Sequence, residues 1–118
     1  MTWTVAAADE FELEFQLFPE DVKDELAALA GLLEVLGPGL KRPHCDTLKG
    51  SRFANMKELR FEAAGGVWRV AFAFDPERAA ILLVAGDKSG GSEARFYRKL
   101  IRLADQRFET HLAEVKRR

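Results

Sequence analysis

Three strand-like runs follow one another with almost no chain between them, and this limits the fold more than any other feature of the sequence. "NMKELRF" (55–61), "VWRVAFAF" (67–74) and "AAILLVAG" (79–86) are joined only by "EAAGG" and "DPER". Links this short favour antiparallel hairpins. In "DPER", Asp75 and Pro76 stand at the first and second positions of a type I turn. The third run is apolar at nearly every position. It is therefore predicted to lie inside the sheet, covered on both faces.

Alternation along a strand then sorts the side chains by face. In the first run Lys57, Leu59 and Phe61 share one side, and Met56, Glu58 and Arg60 share the other. In the second, Trp68, Val70, Phe72 and Phe74 form an apolar set opposed to Val67, Arg69, Ala71 and Ala73. The large apolar sets are predicted to face the N-terminal helices. Arg60 and Arg69 then fall on the same, less hydrophobic face of neighbouring strands. A charge there is costly unless it is paired or wet. Two readings stand side by side: the arginines bind phosphate, or they pair with acids such as Glu58 and Glu62.

The remaining chain is helical at both ends. "TWTVAA" (2–7) reads as a short strand with Trp3 and Val5 on one side. From Asp9 the apolar period becomes helical, with Phe11, Phe15 and Phe18. Pro19 restarts a second helix whose stripe is Val22, Leu26, Leu29, Leu33 and Leu36, closed by "GPG" at 37–39. Both helices are predicted to show an acidic outer face. Residues 40–54 read as a basic connecting loop. A last helix begins at the N-cap Ser92, with Tyr97, Ile101, Ala104, Phe108 and Leu112 on one stripe. Arg95, Arg98, Lys99 and Arg102 recur at i, i+3, i+4 and i+7. The order is strand, two helices, three antiparallel strands and a helix: an α+β fold.

The 118 residues suit one domain, 1–118, and 47% hydrophobic with 31% charged residues suits a soluble globule. Cys45 is the single cysteine, so no disulfide forms within the chain. The start lacks the pattern of a signal peptide and no apolar run nears the ~20 residues of a membrane span. A cytoplasmic address without membrane contact is predicted. Net charge is −1, but residues 1–38 hold nine acids and one base, and residues 39–118 hold ten acids and seventeen bases. That asymmetry suggests nucleic-acid contact by the basic part, or attraction between the halves.

Other chemistry is sparse. "GDKSGG" lacks the spacing of a phosphate loop. His44, Cys45 and Asp46 are adjacent, and neighbours in a chain point apart, which argues against a metal or thiol site. His111 reads as a surface or packing residue.

"LGPGLKRPHCDTLKGSRFANMKELRF", "WRVAFAFDPERAAILLVAGDKSG" and "FYRKLIRLADQRFETHL" together resemble the phage-derived HigB-like group of the RelE/ParE toxin superfamily. The resemblance runs from about Leu36 to Leu112 and implies a RelE-like fold with an N-terminal strand and two helices packed on a mainly antiparallel sheet. It implies the toxin of a type II toxin–antitoxin pair: an endoribonuclease that cuts mRNA in the ribosomal A site with no metal or cofactor. Implied partners are the ribosome, mRNA and a helix-turn-helix, HigA-like antitoxin. Arg60, Arg69, Lys88 and Tyr97 match residues of the family's catalytic pattern. RelE carries lysines where this chain has Met56 and Glu58, so Glu58 is the candidate base, or Lys57 if a bulge turns it inward. Lys49, Lys57, Arg95, Arg98, Lys99 and Arg102 are the candidate RNA contacts. Two alternatives share the resemblance: a ParE-like gyrase inhibitor without catalysis, and an inactive module that binds RNA or antitoxin.

Overall fold

The computed structural model describes residues 2–118 and runs β1 (Thr4–Ala7), α1 (Asp9–Gln16), α2 (Glu20–Leu36), β2 (Cys45–Thr47), β3 (Met56–Ala63), β4 (Gly66–Phe74), β5 (Ala79–Asp87) and α3 (Glu93–Arg117). The five strands lie in the order β1-β5-β4-β3-β2. β1 is parallel to β5 and the other neighbours are antiparallel. Short links do impose the hairpins. Ala64 and Gly65 both have positive φ, 51° and 75°, so β3 turns into β4 through two residues whose twist suits a tight hairpin. In the next link Arg78 N–H donates to the Asp75 carbonyl, and the Asp75 carboxylate accepts from the amides of Glu77 and Ala79.

The sheet is covered on both sides. On one, Phe11, Leu26, Leu29 and Leu33 of the first two helices pack on Leu59, Val70, Phe72 and Leu82. On the other, Leu100, Ala104 and Phe108 of α3 pack on Met56, Ala71, Ala73 and Leu83. β5 contributes to both layers, which is why its sequence is apolar throughout. The β4–β5 register slips between Ala71 and Phe72, leaving Leu83 as the extra residue of a bulge. The Leu83 carbonyl is taken up by Arg107 Nη1 at 2.8 Å, and the same guanidinium grips Glu14 through both carboxylate oxygens. One side chain thus ties α3, β5 and α1 together.

Several sequence expectations need correction. The predicted loop at 40–54 contains β2, whose Cys45, Asp46 and Thr47 pair with Leu59, Glu58 and Lys57. Three residues are too few to show a period. Leu36 is 47% exposed, because Gly37, with φ 52°, turns the chain beneath Trp3 and ends the stripe at Leu33. The outer face of α2 is acidic mainly in its first turns; Ala27, Ala28, Leu32 and Val35 make its second half largely apolar, with Glu34 the one exposed acid there. Leu100, absent from the predicted α3 stripe, is buried. The less hydrophobic face of the sheet is not open either, since α3 lies across it. Among the described residues no helix is long and apolar enough to cross a membrane.

Candidate active site

β3 and β4 pair with Arg60 directly opposite Arg69. Like charges in that position destabilise a sheet, so something must compensate. Alternation places Glu58 two residues before Arg60 on the same face, and its carboxylate is the compensation. Oε2 accepts from Arg60 Nη1 at 2.8 Å, and Oε1 accepts from the Tyr97 hydroxyl at 2.9 Å. That hydroxyl accepts in turn from Arg69 Nε at 3.2 Å, while Arg69 Nη1 donates to the Trp68 carbonyl at 2.9 Å. Arg69 Nε stands 3.9 Å from Glu58 Oε1. The ion-pair reading of Arg60 is realised, within a larger network.

The network is largely dry. The Glu58 and Arg69 side chains are 5% and 7% exposed, and Arg60 is 23% exposed. Charges removed from water persist only when paired and hydrogen-bonded. Among the described residues no buried side-chain nitrogen or oxygen lacks a partner. Burial, reinforced by the Glu58 carboxylate on its hydroxyl, pushes the Tyr97 phenol above its ordinary value against the pull of Arg69. Tyr97 therefore stays protonated at neutral pH and is suited to donating or relaying a proton.

Lys88 leaves β5 at the rim of this cluster and pairs with Glu93 in the first turn of α3. The Lys88 hydrogen bond and charge hold the Glu93 carboxyl below its ordinary range, with Arg69 and Arg60 adding to the pull. The sequence reading missed Glu93, although an acid opening a helix five residues after a lysine was visible. Arg60 is also felt by Asp46, whose carboxyl is lowered mainly by its hydrogen bond from Arg42.

The candidate RNA contacts do not all converge. Arg95, Arg98, Lys99 and Arg102 are exposed on α3, away from the surface that packs on the sheet. Lys49 is exposed on the segment after β2, which docks on α3 through Ser51–Asp105 and the Phe53–Phe108 edge contact. Lys57 stands opposite Thr47 and Phe72 in unbroken β3 register, so it faces away from Glu58. The bulge that could have turned it inward occurs between β4 and β5 instead. Cys45 is buried while His44 is exposed, so the "HCD" side chains do part. His111 packs on Phe108 and bonds the Asp75 carboxylate at 2.7 Å.

Comparison with known proteins fits this architecture. A family model described as "Phage derived protein Gp49-like (DUF891)" matches residues 13–109. The chain belongs to this Gp49-like family. It is 50% identical over 94 residues to "Putative toxin HigB3" of Mycobacterium tuberculosis, covering 77% of this chain and 80% of that protein. It is 48% identical over 84 residues to "Putative toxin HigB2" of the same organism, covering 70% of this chain and 41% of the relative's length. A mutant of the E. coli toxin RelE, solved in the free state, shares the fold. The TM-score is 0.62 at 12% identity, over 86% of this chain and 95% of that one. The chain is thus a HigB-like member of the Gp49-like family with a RelE-like fold, as its sequence motifs implied.

Proposed function

We propose that this Gp49-like toxin belongs to a type II toxin–antitoxin pair and cuts mRNA on the ribosome, using side chains alone. The observation that supports this best is the placement of Arg69 directly across from Arg60, held by Glu58 and Tyr97. A sheet gains nothing from two opposed arginines, whereas a phosphate is gripped well by paired guanidinium forks. In the proposed reaction the RNA 2′-oxygen attacks the adjacent phosphorus and the bond to the 5′-oxygen breaks. Arg60 and Arg69 stabilise the charge on the non-bridging oxygens. Glu58 is too enclosed to meet the 2′-hydroxyl, so Tyr97 relays: its hydroxyl proton passes to Glu58 as it takes the proton of the 2′-hydroxyl. The Lys88 ammonium returns a proton to the departing 5′-oxygen. With so few groups able to move protons, the ribosome must supply much of the substrate alignment.

The partner in this reading is a helix-turn-helix antitoxin whose acidic surface covers the basic cluster and α3. The deciding experiment is primer extension on mRNA, with and without programmed ribosomes. Codon-linked cuts that require ribosomes and disappear in Arg69→Ala support the proposal. Robust cutting of naked mRNA overturns ribosome dependence, and DNA breaks without RNA cuts favour gyrase inhibition.

A further inference from the structure

The first turn of α3 is seated closely on the end of β5. Gly86 stands opposite Arg69 in the β4–β5 register, and an added Cβ there would lie 2.8 Å from the Phe96 ring. Glycine is what lets the helix come this near. The next helical residue, Tyr97, reaches Glu58 and Arg69. Glu93 precedes Tyr97 by four residues, so it lies one turn away on the same helix face. Its carboxylate accepts from the Lys88 ammonium. Lys88 itself is fixed beside β4, because its backbone N–H donates to the Val67 carbonyl. Beyond Lys88, the charges of Arg69 and then Arg60 also act on the Glu93 carboxylate. An acid thus stands at the rim of the cationic cluster.

An acid in a first helical turn also suits the helix dipole. That role needs no lysine from β5, and it does not account for a carboxylate turned onto the cations. The two partners are unequally placed. The Lys88 side chain is 21% exposed and the Glu93 side chain 66%. An ion pair with one partner this exposed is weak and easily exchanged. We propose that Glu93 is a built-in counter-anion of the site: in the free protein its carboxylate occupies the Lys88 ammonium, and a phosphate group bound at Arg60 and Arg69 displaces it. The proposal rests on the reading of the arginine pair as a phosphate site. It makes Glu93 a positioning residue that acts through Lys88 and touches no reacting atom. Until RNA arrives, the carboxylate offsets part of the positive charge and weakens the grip on passing polyanions. A phosphodiester at the arginines sets a second negative charge beside the carboxylate. Repulsion then turns the exposed side chain towards water and frees the ammonium for the departing 5′-oxygen.

The test is titration of the full chain, followed by amide NMR shifts at Lys88 and Arg69. One arm uses inorganic phosphate, and the other a short RNA whose methylated 2′-oxygens prevent cutting. Glu93→Gln should bind both about two- to fivefold more tightly than the parent. The RNA arm should also become more sensitive to salt. Its slope of log K against log salt should steepen by about 0.7, as for one more neutralised phosphate on a single strand. Loss of a dipole contact alone would lower the melting temperature and leave both readings where they were. Glu93→Asp keeps the charge and should stay nearer the parent. The gain should shrink when Lys88→Met is added, because the two residues act as a pair. Phosphate binding that is unchanged or weaker in Glu93→Gln would overturn the counter-anion, and so would a gain undiminished by Lys88→Met. Phosphate binding that is absent from the parent, or indifferent to Arg69→Ala, would overturn the underlying phosphate reading instead.

Discussion

β4 presents two unlike surfaces from one alternating sequence. Trp68, Val70, Phe72 and Phe74 fill the side under α1 and α2 with large apolar groups; Trp68 meets Phe18, and Phe72 meets Phe74 edge-on. Arg69, Ala71 and Ala73 line the side under α3, where alanines leave room for Leu100 and Phe108. Both sides are buried, yet only one carries charge. The difference separates two jobs: the first layer secures the fold, and the second accepts the cost of a polar network in order to hold cations at its rim. If that division is real, substitutions on the two sides should fail differently.

The largest effect on stability belongs to the apolar side. Phe72 is fully buried, so Phe72→Ala should cost about 3–5 kcal/mol through lost transfer energy and a cavity. Denaturant unfolding measures it, and surviving folded protein should keep its activity per molecule. A cost under about 1 kcal/mol would mean that this layer is not the support it resembles.

Arg69→Ala should lose on the order of 10²–10³ in cleavage rate, as for removal of a preorganised charge donor. Stability should fall by only about 1–3 kcal/mol, because Arg60 and Tyr97 still bond Glu58. Arg69→Lys should rescue folding more than rate, since an ammonium keeps the charge and loses the fork. A folded Arg69→Ala protein that arrests growth as well as the parent would collapse the contrast between the two sides.

An intermediate effect tests whether the α3 layer is also tied down by polar contacts away from the cluster. Burial raises the Asp75 carboxyl, but hydrogen bonds from His111, Ala79 and Glu77 outweigh it and leave it below its ordinary value. A carboxyl lowered in the folded state stabilises fully above its unfolded value, near ~4, and that stability is lost as pH falls through the folded value. Asp75→Asn should therefore be less stable at neutral pH and lose less of its stability between about pH 5 and 2. Parallel stability–pH curves for the two proteins would show that Asp75 contributes nothing to acid unfolding.

How much of this was legible depended on how local each signal was. The hairpins, the Ser92 cap and the shared face of Arg60 and Arg69 follow from turn residues and alternation, which a few neighbouring positions fix. β2 was not legible because three residues cannot display a period, and its partner residues lie ten or more positions away in sequence. The enclosure of Arg69 was not legible for a related reason: it depends on where α3 crosses the sheet, which follows from packing of Leu100, Ala104 and Phe108. The family resemblance singled out Tyr97 without its partners. Only the fold shows that its hydroxyl bridges Glu58 and Arg69.

The smallest expected effect examines that bridge. The Tyr97 phenol is raised first by burial and next by the Glu58 carboxylate that accepts its proton, while Arg69 lowers it. Glu58→Gln keeps the shape and removes the negative charge, so burial and Arg69 remain and the phenol should titrate at lower pH than in the parent. Tyr97 is the single tyrosine, so absorbance of its phenolate on alkaline titration reports this residue without interference from another phenol. Arg69→Ala should move the same titration the opposite way. The two shifts together would locate the phenol between the acid and the base of one network, on the charged side of β4 and not the apolar one. If neither substitution moves the titration, the phenol does not contact the cluster, and the relay through Tyr97 fails even if Arg69 proves essential.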